Sequence, residues 1–202
     1  MRTKGSNAVR IIGGEWGSRV IRFPAAANLR PTPDFVRERL FNWLGQDLTG
    51  KRCLDLFAGS GAVGFEALSR GAAEVVMVES SRVVHRHLHA TAGELGAGAR
   101  LRLVLGDALH FLASPPHGFD VVFVDPPYAS GLAVKVLDHL PGALAPGAVV
   151  YVESDAAFAA GPPGWRVRRE GRGGAVHHRL MELGDHDEGS LSGDVRSADP
   201  RA

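Results

Sequence analysis

The sequence predicts an α/β protein built on a mostly parallel, seven-stranded sheet that ends in an antiparallel hairpin. Three observations carry that prediction. From Lys51 onward, short apolar runs alternate with segments of helical spacing, as strands joined by crossover helices do. Those runs are continuously apolar, which suits a sheet covered on both faces. Between them, Cys53-Leu-Asp-Leu-Phe-Ala-Gly-Ser-Gly-Ala-Val-Gly64 takes a buried strand through a glycine turn into a helix. Such a corner lets a ligand approach the backbone and the unpaired N–H groups of the helix start.

Residues 1–8 read as a flexible basic lead. Val9 to Phe23 reads as two β runs around Gly13-Gly14 to Ser18, a hairpin carrying Arg10, Arg19 and Arg22. In Arg30-Pro-Thr-Pro-Asp34, Thr32 suits an N-cap and Pro33 the first helical position. Phe35, Val36, Leu40, Trp43 and Leu44 then recur at helical spacing until Gly45. Further strands are expected at Cys53–Phe57, Glu74–Val78, Leu101–Leu105, Phe119–Val124 and Ala148–Val152. Helices fit between them at Ala62–Arg70, Arg82–Leu95, Ala108–Leu112 and Leu132–Leu140. Trp165–Arg169 and Val176–Leu183, joined by Gly171-Arg-Gly-Gly174, form the closing hairpin. The chain thus divides into a basic extension (1–45), a main domain (46–183) and an acidic tail (184–202) whose composition predicts disorder.

A chain of 202 residues with 45% apolar content can bury one substantial core. Net charge is only +1, but it is unevenly spread. The first 40 positions hold eight basic residues against three acids, which points the front of the molecule at a polyanion. The single cysteine, Cys53, excludes an internal disulfide and falls in a core strand. No apolar run approaches membrane-spanning length, so a cytoplasmic, monomeric protein with no membrane contact is expected. His85 and His89 share a helix face, but with no third ligand beside them no metal site is expected.

In an open α/β sheet, ligands bind beyond the carboxyl ends of the strands. Four such ends carry distinctive residues: Asp55 to Gly61, Glu79, Asp107 and Asp125-Pro-Pro-Tyr128. Glu79 can take both hydroxyls of a ribose. Asp107 can accept from an adenine amino group while the Ala108 N–H faces a ring nitrogen. Gly59, Gly61 and Gly64 match the G-x-G-x-x-G spacing, which alone would equally suit a nicotinamide dehydrogenase. Asp125-Pro-Pro-Tyr128 has no place in that chemistry. A carboxylate and a carbonyl that each accept an N–H bond orient the lone pair of a purine amine, otherwise delocalised into the ring. Two prolines hold that carbonyl still. A neighbouring aromatic ring can stack on an extruded base, worth roughly 1–3 kcal/mol. The sulfonium of S-adenosylmethionine would supply an electrophilic methyl without a metal.

These segments resemble the class I S-adenosylmethionine-dependent methyltransferases with an [Asp/Asn]-Pro-Pro-[aromatic] motif. More narrowly, they resemble the bacterial 16S ribosomal RNA guanine-N2 methyltransferases of the RsmD type. The resemblance rests on Arg10-Ile-Ile-Gly-Gly14, Arg30 to Leu44, Leu54 to Gly61 with Glu66 to Gly71, and Asp125-Pro-Pro-Tyr128. It implies a Rossmann-like class I methyltransferase fold, S-adenosylmethionine as methyl donor, and 16S ribosomal RNA in an assembling small subunit as partner. Asp55, Phe57, Ala58, Gly59, Ser60 and Gly61 would surround the methionine part, with Glu79 on the ribose and Asp107 and Ala108 on the adenine. Asp125 and the Pro126 carbonyl would hold the amine, and Tyr128 would stack on the ring. Arg10, Arg19, Arg22, Arg30, Thr32 and Pro127 would meet RNA. Two positions depart from the family pattern, Pro33 and the pair His177-His178, and neither is expected to touch the chemistry. Adenine-N6 methylation of DNA and a non-catalytic RNA-binding role in assembly are the competing expectations.

Overall fold

The computed structural model describes residues 6–24, 29, 32–127, 131–154, 162–173 and 176–184. The expectations placed on Arg30, on Tyr128 and on the tail past Gly184 lie outside these residues. Strands β1 (Ser6–Arg10) and β2 (Val20–Pro24) form the amino-terminal hairpin, with Val9 opposite Ile21. Helix α1 (Asp34–Leu44) follows and ends at Gly45, whose φ of 102° completes the left-handed cap. Then come β3 (Arg52–Asp55), α2 (Ala62–Ser69), β4 (Glu74–Glu79), α3 (Arg82–Leu95) and β5 (Leu101–Leu105). After α4 (Ala108–Leu112), β6 (Phe119–Val124), α5 (Leu132–His139) and β7 (Leu144–Ser154), the chain closes with β8 (Trp165–Gly173) and β9 (Val176–Leu183).

The main sheet has seven strands in the order β5-β4-β3-β6-β7-β9-β8. Strands β3 to β7 pair in parallel, while β9 runs antiparallel to β7 and β8 antiparallel to β9. The chain winds outward from β3 to β5, then returns to β6 on the other side of β3. That reversal opens a crevice between β3 and β6 at their carboxyl ends. Successive residues of the central strands feed opposite cores. Cys53, Val121, Phe123 and Tyr151 face the core containing Phe41 and Phe65; Leu54, Val122, Val124 and Val150 face α4 and α5. Two-sided burial is why these strands read as unbroken apolar runs. Cys53 is fully buried, and burial pushes its thiol up to about 12, so it packs as core and stays unreactive.

Several expectations shift. Thr32 does not cap α1; Pro33 is the N-cap residue, its carbonyl accepting the N–H bonds of Val36 and Arg37. The cause is the buried Arg37, whose Nε donates to the Thr32 carbonyl at 3.3 Å and holds Thr32 ahead of the helix. Phe35, counted among the inward residues of α1, is 53% exposed, because the inward face of that turn belongs to Val36 and Arg37. β8 continues through Gly171 and Gly173 instead of turning there. A Cβ on Gly171 would lie 2.9 Å from the end of the Arg39 side chain and 3.2 Å from Trp43, so glycine lets the strand pass close beneath α1 without displacing either.

The hairpin is fastened to the sheet by one carboxylate. Glu66 of α2 is fully buried, and its Oε2 accepts from the Ile12 N–H at 2.7 Å and from Arg37 at 3.1 Å. Its Oε1 accepts from the Gly13 N–H at 2.8 Å and from Arg70 Nε at 2.9 Å. Arg37, also fully buried, donates onward to the Arg10 carbonyl and to Asp34, each at 2.7 Å. Beside this cluster Ser69 Oγ donates to the Gly13 carbonyl and accepts the Trp16 N–H. A Cβ on Gly14 would stand 1.9 Å from the Ser69 carbonyl oxygen. Removing Glu66 strands two buried guanidinium groups and two N–H donors. Glu66→Ala should therefore lower unfolding free energy by about 3–5 kcal/mol, read from the urea midpoint. A loss below about 1 kcal/mol would show the cluster to be solvated and dispensable.

Candidate active site

The crevice between β3 and β6 is a cleft of about 540 Å³. Its floor and walls come from the β3–α2 corner, the ends of β4 and β5, the segment after β6, and the ends of β7 and of the connection from β2 to α1. Asp55, Phe57, Ala58, Gly59, Ser60, Glu79, Asp107 and Ala108 all line it, as do Asp125, Pro126, Pro127 and Thr32. Gly61 does not line it; with φ at 79° it is the N-cap residue of α2 behind the cleft wall. Nor do Arg10, Arg19 and Arg22, which belong to the hairpin.

The corner is held by short-range geometry. Ala58 N–H donates to the Val78 carbonyl at 3.0 Å, and Gly59 N–H to Glu79 Oε2 at 3.0 Å. Glu79 Oε1 accepts from Ser81 N–H at 2.7 Å, so both carboxylate oxygens are oriented by backbone. Gly64 allows α2 to lie on β4: a Cβ there would fall 2.4 Å from Met77 Cε. Asp107 caps α4 through one oxygen, Oδ1, which takes the N–H bonds of Leu109 and His110. Capping and cleft lining therefore coexist in this residue.

The strand ends gather acid. Burial, then the nearby Asp125 and Glu79 charges, push the Asp55 carboxyl up to about 7 against the opposing N–H bonds of Phe57 and Gly64. Burial pushes Asp125 up to about 6. A third acid was not singled out from the sequence. Glu153, only 5% exposed, lines the cleft at the end of β7, and burial followed by the Asp125 charge raises it to about 8. Its signal was visible, since it closes an apolar strand as Asp125 does. Tyr151, hidden inside that apolar run, donates its O–H to Glu153 at 2.9 Å and lies 3.0 Å from His178 Nδ1. His178 is 2% exposed, and burial followed by the Arg39 charge lowers it to about 4. His178 does not line the cleft itself. It belongs to the hydrogen-bonded chain leading into the cleft.

Residues 9–182 match the family model described as Conserved hypothetical protein 95. Ribosomal RNA small subunit methyltransferase D of Escherichia coli K12 is 43% identical over 182 residues, covering 88% of this chain and 91% of the relative. The chain belongs to the ribosomal RNA small subunit methyltransferase D family. The Haemophilus influenzae member is 39% identical, covering 86% of this chain and 93% of its own. Among solved structures, the Escherichia coli yhhF protein, described as a methyltransferase, superposes with a TM-score of 0.79 at 41% identity, covering 88% of this chain and 98% of that one. Methyltransferase D family membership agrees with the sheet order and with the cleft at its reversal point. Among the described residues no helix is long and apolar enough to cross a membrane, and no three metal-ligating side chains converge. His85 and His89 meet edge-on, 4.7 Å apart, on α3.

Glu153 makes a pH-dependent contribution to stability of defined sign. Its folded value of about 8 lies above the ordinary 4.5, so in that window the folded state keeps a proton that the unfolded state has released. The stability of the protein falls as pH rises through the window. Glu153→Gln should raise the melting temperature little at pH 4.5, increasingly up to pH 8, and by a constant amount above it. A gain independent of pH would contradict the assigned burial of charge.

Proposed function

We propose that this chain transfers the methyl group of S-adenosylmethionine to the exocyclic N2 amine of a guanine in 16S ribosomal RNA. It would act as a cytoplasmic monomer on an assembling small subunit. The carrying observation is that Asp125-Pro126-Pro127, after β6, shares one cleft with the glycine corner after the adjacent β3, with Glu79 and Asp107 at the ends of β4 and β5 beyond that corner. The Escherichia coli and Haemophilus influenzae relatives are ribosomal RNA small subunit methyltransferases by name, which supports ribosomal RNA as the substrate.

The donor supplies an electrophilic methyl on a positively charged sulfur. On this reading the residues Asp55 to Ser60 receive its methionine part, where Asp55, Asp125 and Glu153 give the cleft a negative potential that favours a cation. Glu79 is already oriented by Gly59 and Ser81, and takes the ribose hydroxyls. Asp107 and the Ala108 N–H take the adenine edge. Asp125 and the Pro126 carbonyl accept the two amine N–H bonds, leaving the lone pair directed at the methyl. Asp125 forms no bond to the methyl group; its work during the transfer is orientation and charge. Thr32, buried at 8% exposure, and Pro127 bound the base side, and Tyr128 stacks on the base.

On the hairpin, Arg22 is exposed, Arg10 sits 3.6 Å from Asp34, and Arg19 donates to the Glu94 carbonyl at 2.6 Å. All three stay within reach of solvent and of a phosphate backbone. Asp125→Ala should lower methyl transfer by at least about a hundredfold while S-adenosylhomocysteine still raises the melting temperature. Undiminished methylation would reject this mechanism. Replacing Arg10, Arg19 and Arg22 with glutamine should flatten the salt dependence of RNA binding, reducing the slope of log K against log salt by about 2. An unchanged slope removes the hairpin from the interface.

A further inference from the structure

Three polar side chains stand in one row across the cleft end of the sheet. Val124 pairs with Val152 in parallel register, so Asp125 and Glu153 are each the next residue on neighbouring strands. Glu153 in turn pairs with His178 across the antiparallel β7–β9 ladder. Paired residues point to the same face, which places Asp125, Glu153 and His178 side by side. One layer below, Asp55, Phe123 and Tyr151 form the adjoining row. Tyr151 reaches up from it to bond Glu153 and His178 together. The groups facing Glu153 are therefore Asp125 from β6, Asp55 from β3, Tyr151 from its own strand, and His178 with His177 behind it from β9. The Arg39 guanidinium of α1 acts on Tyr151 and His178, and Glu79 of β4 acts on Asp55.

Glu153 is placed for more than packing. It lines the cleft yet is 5% exposed; its Oε1 takes the Tyr151 O–H, and its Oε2 lies 3.8 Å from His178 Nδ1, beyond hydrogen-bond distance. No basic side chain forms an ion pair with it apart from that histidine, among the described residues. His178 is held neutral by burial and the Arg39 charge, so it does not offset the negative charge that Glu153 and Asp125 carry when both ionise. A compact cation in the cleft would.

We propose that Asp125 and Glu153 form a proton-sharing pair whose ionisation follows the charge of the methyl donor. With the sulfonium present both carboxylates ionise. On transfer, the amine nitrogen forms a bond to the methyl carbon while the carbon–sulfur bond breaks and leaves its electron pair on sulfur. The nitrogen then releases one proton to Asp125, and the pair keeps it because the thioether product no longer carries a compensating charge. Burial holds both acids above the ordinary carboxylate range, so the neighbouring pair retains the proton. Glu153 is thus a positioning residue for Asp125 and a discriminator between donor and spent product. This inference rests on the methyl-donor reading above.

The test is binding, measured without turnover. Titration calorimetry of S-adenosylmethionine and S-adenosylhomocysteine at pH 7, in buffers of different ionisation heat, counts the protons exchanged with each. The wild-type protein should release more protons with the sulfonium ligand than with the thioether. The ratio of the two affinities should also rise by about tenfold between pH 6 and pH 8. Glu153→Gln should flatten that rise, which loss of a packing contact alone would not do; the wild-type ratio needs no variant. Equal proton counts and a flat ratio with both ligands bound would overturn this inference alone. Binding of neither ligand would overturn the methyl-donor reading and this inference with it.

Discussion

The structure depends on a single buried charge arrangement, the Glu66 carboxylate clasped by Arg37, Arg70 and the backbone of Ile12 and Gly13. A buried carboxylate is tolerated only when its oxygens are fully paired, and here each oxygen meets one guanidinium and one N–H. The arrangement ties together three elements that share one apolar core: the hairpin, α1 and α2. Helix α2 begins at the glycine corner, and Arg37 holds the Thr32 carbonyl that places Thr32 at the cleft. The glycine-corner side and the Thr32 side of the cleft are therefore referred to one common point. The non-directional contacts of the core shared by hairpin and sheet could slide; charges buried between the two cannot re-pair in another register.

The cleft follows the opposite logic. Glu66 gathers cations around one acid, whereas the strand ends gather Asp55, Asp125 and Glu153, with the Tyr151 hydroxyl donating to Glu153. Their upward displacement is an unfavourable contribution to folding above the ordinary carboxylate range. The structure tolerates it because the surrounding cores on both sheet faces are large and dry. Concentrating negative potential where a cation reacts is a familiar way to trade stability for electrostatic preorganisation.

Much of this was legible in the chain. Strand–turn–helix corners, acids at strand ends and the Asp125-Pro-Pro motif are local, and the parallel strands announced themselves because two-sided burial makes them apolar without interruption. What escaped depended on distant partners. Glu66 looks like any helix acid until Ile12 and Gly13, more than fifty positions earlier, fold onto it. Arg37 reads as one basic residue among many, yet it is fully buried and moves the start of α1 by a residue. Gly171 and Gly173 read as a turn because what crowds them is distant in sequence or across the ladder: Arg39 and Trp43 of α1 at Gly171, and His178 of β9 at Gly173. Tyr151 and His178 sat in segments whose apolar or alternating pattern was fully explained by strand packing. The approach of His178 to Tyr151, which in turn bonds Glu153, appears only once β7 and β9 are set in register.

The central claim is that a purine amine held by Asp125 receives a methyl group from a donor seated at the glycine corner. The most direct measurement uses small-subunit particles from a strain lacking this protein. They are incubated with the purified chain and S-adenosylmethionine, and their RNA is digested and its nucleosides weighed. The account predicts new N2-methylguanosine at one position of 16S ribosomal RNA. Methyl groups found on adenine N6 instead, or none transferred to the particle at all, would contradict it.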